Sequence, residues 1–179
     1  MVIILLLIEF FQLRFIDIFP LLPFFVSDKA LYKIPINAKI PAEGNFMEIS
    51  KEDMKVLLKA QQGELDAVLM YNALAEVAKH QKDKDTFRQL AKEEGHHASV
   101  FHKLTQRELT PKHTKEILLP LLYRIFPRWI LYPAIAQGEY AAVKTYAPVA
   151  EKFPEVESVK NDEKRHGDTV KGLLNKEQD

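Results

Sequence analysis

The sequence predicts an all-α protein, a four-helix bundle with one long crossover between its second and third helices. Three observations predict it. From residue 49 onward, apolar side chains recur at intervals of three and four, the period of one helix face. The first two helical segments are joined tightly, as are the last two, and a long stretch separates the pairs. Each of the four apolar stripes is interrupted once, by a glutamate or by a glutamate and a histidine one turn apart.

Helix 1 is expected from about Ser50 to Lys79. Ser50 supplies a capping hydroxyl, and Glu52 and Asp53 place acids in the first turn. Helix 2 is expected from about Lys84 to Gln106. Thr110-Pro111 reads as a fresh N-cap and first position. It opens the apolar stretch from Ile117 to Leu131, which Pro120 and Pro127 break and which reads as a lid on the bundle end. A membrane-facing or partner-facing patch is the alternative for that stretch. Helix 3 is expected to begin near Pro133 and run toward Val149, with Pro148 marking its end. Helix 4 is expected from near Pro154 to about Asn175.

The first 46 residues differ from the rest. Residues 1–26 are very apolar, but Glu9, Arg14 and Asp17 interrupt them and Pro20 and Pro23 break their far end. They make a poor membrane span. They also lack the basic start and small-residue cleavage site of a signal peptide. Residues 27–46 are polar and aperiodic. Met47 then opens the helical pattern at once, so Met47 is expected to be the native start and residues 1–46 an extension foreign to the working domain, 47–179.

Composition narrows the chemistry. Lysine plus arginine total 25, aspartate plus glutamate total 25, and no basic run occurs, which argues against a nucleic-acid partner. The absence of cysteine removes disulfides, thiolate zinc sites, iron–sulfur clusters and thiol nucleophiles together. Any metal must sit on nitrogen and oxygen.

The stripes supply those atoms. In helix 2, Phe87, Leu90, Glu94, His97 and Phe101 share a face; in helix 4, Val156, Val159, Glu163, His166, Val170 and Leu173 do. A neighbouring frame, Glu93 with His96, also reads Glu-x-x-His, but it shares its face with Gln89 and Val100 and is expected to be less buried. Helix 1 places Glu64 among Leu57, Ala60, Ala67, Tyr71 and Leu74. Helix 3 places Glu139 among Tyr132, Ile135, Ala142, Tyr146 and Val149. Gln62-Gly63-Glu64 matches Gln137-Gly138-Glu139, and a tyrosine follows each glutamate seven residues on, so the chain reads as a duplicated pair of helices.

Four carboxylates cannot share an apolar interior unaided, since burying even one unpaired charge costs several kcal/mol, by a rough measure. Two divalent cations would balance them. One Glu from each of two helices plus Glu-x-x-His from the other two is the ligand set of di-iron and di-manganese carboxylate bundles. Oxygen ligands with imidazole suit iron or manganese; zinc would fit but brings no redox chemistry. Glu64, Glu94, His97, Glu139, Glu163 and His166 are therefore expected to bind two iron ions per chain, with manganese the alternative. Tyr71 and Tyr146 suit two roles equally, filling the core or hydrogen-bonding the ligand carboxylates. His80, His102 and His113 are expected at the surface or at helix ends.

GELDAVLMY at Gly63–Tyr71, LAKEEGHHASVF at Leu90–Phe101, GEYAAVKTY at Gly138–Tyr146 and NDEKRHGDTV at Asn161–Val170 resemble the rubrerythrin family of ferritin-like proteins. The likeness covers about residues 50–106 and 133–174. The chain also resembles the ferritin-like domain attached to some vacuolar-iron-transporter-type membrane proteins. The resemblance implies a ferritin-like four-helix bundle, a di-iron oxidoreductase that reduces peroxide or dioxygen, and the same six ligands. A cytoplasmic homodimer is expected as well. Two departures bear on activity. The family's cysteine-rich rubredoxin module has no counterpart here, so electrons are expected from an external donor such as a rubredoxin-like protein. The family's extra glutamate, three residues after the helix 3 ligand and associated with peroxide reduction, is Ala142 here. A ferroxidase or iron-handling module is the alternative function, and an oxygenase resembling demethoxyubiquinone hydroxylase a further one.

Overall fold

The computed structural model describes residues 49–175. The expectations for residues 1–46 and for a start at Met47 lie outside them. The described residues form five helices and no strand: α1 Lys51–Val77, α2 Gln81–Thr105, α3 Thr114–Ile125, α4 Arg128–Ala150 and α5 Pro154–Gly172. Four of them make the bundle. α1 packs on α2 and α4, and α5 packs on α4 and α2, while the backbones of the diagonal pairs stay apart among the described residues. No described helix is long and apolar enough to cross a membrane.

α1 starts as its sequence demands. The Ser50 hydroxyl accepts from the Asp53 backbone N–H at 3.0 Å, with Glu52 and Asp53 in the first turn. α2 begins at Gln81, and His80 holds its N-cap position without a capping side-chain bond. His113 sits likewise at the start of α3, and His102 in the last turn of α2.

Two expectations about the crossover are corrected. The break read at Pro120 is not one: Pro120 lies inside α3, whose N-cap is His113 rather than Thr110. Nor does the next helix wait for Pro133; α4 begins five residues earlier, at Arg128. Both prolines fall in the first two turns of their helices. The carbonyls they leave without an N–H are those of Glu116 and Trp129, on half-buried and exposed residues that water can reach. The early start of α4 brings Arg128 and Tyr132 to the first turn of α2. There the Arg128 guanidinium and the Tyr132 hydroxyl donate to the buried Asp83 at 3.0 and 2.5 Å.

α3 lies against α1 and touches α4. It buries Leu119 and Tyr123, and the Tyr123 hydroxyl accepts from the Lys79 backbone N–H at 3.2 Å. The stretch of chain before it is laced to α1. Gln61 Nε2 donates to the Arg107 carbonyl at 2.8 Å, and the Lys112 N–H donates to Asp66 at 2.7 Å.

Along every bundle helix the interior alternates between apolar and acidic. One apolar cluster gathers Tyr71, Leu74, Phe87, Leu90, Tyr132, Ile135 and Val170. A second gathers Leu57, Ala60, Phe101, Tyr146, Val149, Val156 and Val159. On each helix the glutamate, or glutamate and histidine, falls in sequence between the two. Burying one large side chain in these layers contributes about 1.5–3 kcal/mol, and that sum holds the acidic layer where isolated helices would not.

Candidate metal centre

The four bundle helices bring all six predicted side chains into that middle layer. Glu94 and His166 are completely buried; His97, Glu163, Glu64 and Glu139 are buried to within a few per cent. One ligand-type atom from each of Glu94, His97, Glu163 and His166 lies within 4.8 Å of all the others. His166 Nδ1 is 2.9 Å from Glu94 Oε1, and His97 Nδ1 is 3.0 Å from Glu163 Oε1 and 3.5 Å from Glu94 Oε2. The two imidazoles stack with centroids 5.2 Å apart. Glu64 and Glu139 complete the layer beside Glu94 and Glu163 respectively. The Glu93/His96 frame is not in it, as its helical face requires.

Each of the two remaining glutamates accepts from a tyrosine of the opposite half. Tyr146 Oη donates to Glu64 Oε1 at 2.5 Å, and Tyr71 Oη donates to Glu139 Oε1. Of the two roles left open for these tyrosines, the structure gives them both, since each ring also packs in an apolar cluster. Burial first, then the charges of Glu139 and Glu64, push the two phenols well above their ordinary range, so both stay protonated donors.

Two carboxylates at this site take a role that the sequence reading did not give them: Glu93, weighed there only as part of an alternative ligand frame, and Asp162. His166 Nε2 bonds Glu93 Oε2 at 2.8 Å, and His97 Nε2 bonds Asp162 Oδ2 at 3.3 Å. The bonding is crosswise: the acid just before each motif glutamate holds the histidine of the other helix. Arg165 joins the pair, reaching Glu93 at 2.8 Å and Asp162 at 2.7 Å. The signal was present, because an acid precedes both glutamates in Glu93-Glu94 and Asp162-Glu163. Hydrophobic periodicity ignores it, since those positions face off the stripe. A surface cleft of about 290 Å³ touches Gln89, Leu90, Glu93 and Arg165, and reaches this outer shell without entering the buried layer.

The electrostatics test whether cations fit. Burial, followed by the charges of Glu94 and Glu139, raises Glu64 well above the carboxylate range. Burial and then Glu94 raise Glu139 likewise. Burial and the charges of Glu64, Glu94 and Glu139 push Glu163 up to about 11. Burial opposes the charge on Glu94 too, but its contacts with His166 and His97 win and lower it. Burial also opposes a proton on His97, yet Glu163 and Glu94 raise it to about 10. A cation-free layer must therefore keep protons that cations would replace. Three buried atoms, Glu94 Oε2, His97 Nδ1 and Glu163 Oε1, have no hydrogen-bond partner despite their close approach. Orphaned nitrogen and oxygen atoms converging at one dry point are what a cation would satisfy. The residues fit a metal pair.

A bundle with one long crossover and a buried layer of four glutamates and two histidines defines the ferritin-like carboxylate proteins. Residues 55–174 match the family model for rubrerythrin. The chain belongs to the rubrerythrin family, whose members are di-iron carboxylate proteins. No curated protein and no solved structure matches it.

Proposed function

We propose that this protein is a di-iron oxidoreductase that reduces peroxide or dioxygen with electrons from an external donor. The observation that carries the reading is the set of three orphaned buried atoms at the meeting point of Glu94, His97 and Glu163. Glu64, Glu94, His97, Glu139, Glu163 and His166 are assigned as the ligands. When bound, two iron ions would supply the electron pair that reduces the oxidant.

The chain's own residues do the rest. The histidines would offer Nδ1 inward, because Glu93 and Asp162 hold Nε2 on the outside. Tyr71 and Tyr146 fix one oxygen each of Glu139 and Glu64, leaving the other oxygen to turn toward a cation. The apolar clusters on both sides exclude water, so charge in the layer is compensated by ligands rather than solvent. With no cysteine among these residues to hold an iron–sulfur centre, the reading takes its electrons from an external donor.

Anaerobic ferrous loading followed by stopped-flow mixing with peroxide, and separately with dioxygen, tests the reading. The expected result is two irons per chain, oxidised faster than free ferrous ion, with repeated turnover when reductant is present. Oxidation no faster than that of free ferrous ion ends it. Ala142, half-buried against the second apolar cluster, favours a second reading as ferroxidase or iron-handling module, because the carboxylate associated with peroxide reduction is missing there. Oxidation with many irons taken up per chain and no turnover would select that one.

A further inference from the structure

The crossover helix presents a face that nothing in the described chain covers. Ile117, Leu121 and Ile125 recur every fourth residue along α3 and are 70 %, 52 % and 63 % exposed. Trp129, the sole tryptophan, follows at the same interval beyond the Phe126-Pro127 break and is 63 % exposed. These are the exposed large apolar side chains of the described residues. Such clustering marks an interaction site.

Charge narrows the occupant. In a chain whose acids and bases balance, residues 107–131 carry five Lys or Arg against two Glu. Arg128 is taken by Asp83, while Glu116 is held by a hydrogen bond to His113 that leaves its charge beside the cations. Arg124 shares the apolar face and is exposed, and Lys112 and Lys115 are exposed at its N-terminal end. An apolar centre with a cationic surround complements an acidic partner, while two copies of the same face would set cation against cation.

Position narrows it further. The buried side of the same helix carries Tyr123, whose ring lies 6.3 Å from Tyr132. Tyr132 meets Phe87 at 5.6 Å, and Phe87 meets Tyr71 at 5.9 Å. Tyr71 donates to Glu139 in the acidic layer. A continuous run of ring contacts thus leads from beneath the exposed face to the proposed metal ligands.

We propose that the α3 face bearing Ile117, Leu121, Ile125 and Arg124, with Trp129, is the docking surface for the electron donor, a small acidic one-electron carrier protein. The proposal rests on the redox reading above. Each encounter oxidises the carrier by one electron and reduces one ferric ion to ferrous, so two encounters restore the pair. No covalent bond forms or breaks in this chain, and the rings serve as medium. Electron-transfer contacts of this kind are small, brief and salt-sensitive.

The test uses the full iron-loaded chain and an acidic rubredoxin as probe, with an acidic flavodoxin as a second carrier. One arm follows binding of zinc-substituted rubredoxin by NMR line broadening at low and high salt. The other compares reduction of the oxidised protein by reduced carrier and by dithionite, a small reductant that needs no docking. The variants are Leu121→Ser and the double reversal Arg124→Glu with Lys115→Glu. Both are expected to weaken carrier binding and carrier-driven reduction about tenfold or more, and to leave iron content and dithionite reduction unchanged. Unchanged carrier rates in both variants, or no binding of either carrier, overturns the proposal. So does capture by vesicles of phosphatidylcholine and phosphatidylglycerol in place of the carriers, which assigns the face to a membrane. A Trp129 emission already typical of an apolar setting in the isolated chain overturns it too, because the face would then be covered by a second copy or by residues 1–46. A chain that binds no iron ends the redox reading instead, while the zinc-rubredoxin arm still decides the docking surface.

Discussion

The two halves of the bundle repeat one design with unequal parts. In both, a Gly-Glu helix is followed by an acid-Glu-x-x-His helix, and each half reaches across to steady the other. Tyr71 bonds Glu139 while Tyr146 bonds Glu64; Glu93 bonds His166 while Asp162 bonds His97. The differences lie in the strength of these contacts. Glu94 stands against both imidazoles and is lowered, whereas Glu163 meets His97 alone and is raised to about 11. The longer Glu93 reaches its histidine at 2.8 Å, and the shorter Asp162 stops at 3.3 Å. A duplicated fold thus supplies two-fold placement, and single side chains then make one glutamate the anchor of the layer.

That asymmetry sets the largest expected effect. Glu94→Ala removes the carboxylate common to both histidines and should abolish binding of both ions. Glu163→Ala should spare one ion per chain. Elemental analysis after metal loading checks this, and equal loss from both variants would show that the halves contribute alike. Stripping metal from the parent protein extends the test to stability. At a free ion concentration a hundred times the dissociation constant, each bound ion contributes about 2.7 kcal/mol. For a domain of this size that corresponds to roughly 10 °C in melting temperature per ion.

The crosswise tyrosines come next and should behave as equals. Tyr71→Phe and Tyr146→Phe each delete one hydrogen bond to a buried carboxylate and leave the ring in its apolar cluster. Each should cost the metal-loaded protein about 1.5–3 kcal/mol, read from urea midpoints. A large effect from only one of them would mean that the ions sit nearer one half.

The outer acids should be weaker and unequal. Glu93→Gln and Asp162→Asn keep size while weakening the hold on each imidazole, and loss of such a contact typically costs about 10-fold or more in metal affinity. The shorter contact predicts the greater loss for Glu93→Gln. Competition titration against a chelator measures both, and a greater loss for Asp162→Asn would reverse the ranking. Helical spacing alone suggests that Glu93→Ala would leave the site intact; the bond to His166 makes it instead a site of reduced affinity that still fills.

These contacts mark where the sequence was legible. Glu64, Glu94, Glu139 and Glu163 each interrupt an apolar stripe, so spacing alone assigned them to one buried layer, and the duplicated Gly-Glu and Glu-x-x-His segments paired the helices. The same logic set Glu93 aside and was blind to Asp162 and Arg165; all three lie off the stripes, and Arg165 meets Glu93 only after α2 and α5 pack. It also misread Pro120 and Pro133. A proline inside a helix strands one carbonyl and crowds it with its ring, and whether water and neighbours can accommodate that carbonyl is a tertiary property that no local pattern carries. Asp83 shows the same limit: its partners Arg128 and Tyr132 lie more than forty residues along the chain.

The smallest effect concerns how each half packs behind its histidine. Four residues after the motif glutamate stand Ala98 in the first half and Gly167 in the second; one residue after the Gly-Glu glutamate stand Leu65 and Tyr140. A Cβ on Gly167 would lie 2.5 Å from the Tyr140 ring, so the larger aromatic requires the smaller partner. Ala in place of a helical glycine gains about 1 kcal/mol. Crowding a packed site costs about 1–3 kcal/mol. Tyr140 is only half-buried and can swing outward, but it would lose its 2.6 Å bond to Asp168. Gly167→Ala should therefore lower stability slightly, by about 1 kcal/mol or less. Adding Tyr140→Leu rebuilds the first half's pair and should restore the urea midpoint to the parent value or above it. If Gly167→Ala alone raises the midpoint, the two halves tolerate the same packing and the glycine answers to something other than Tyr140.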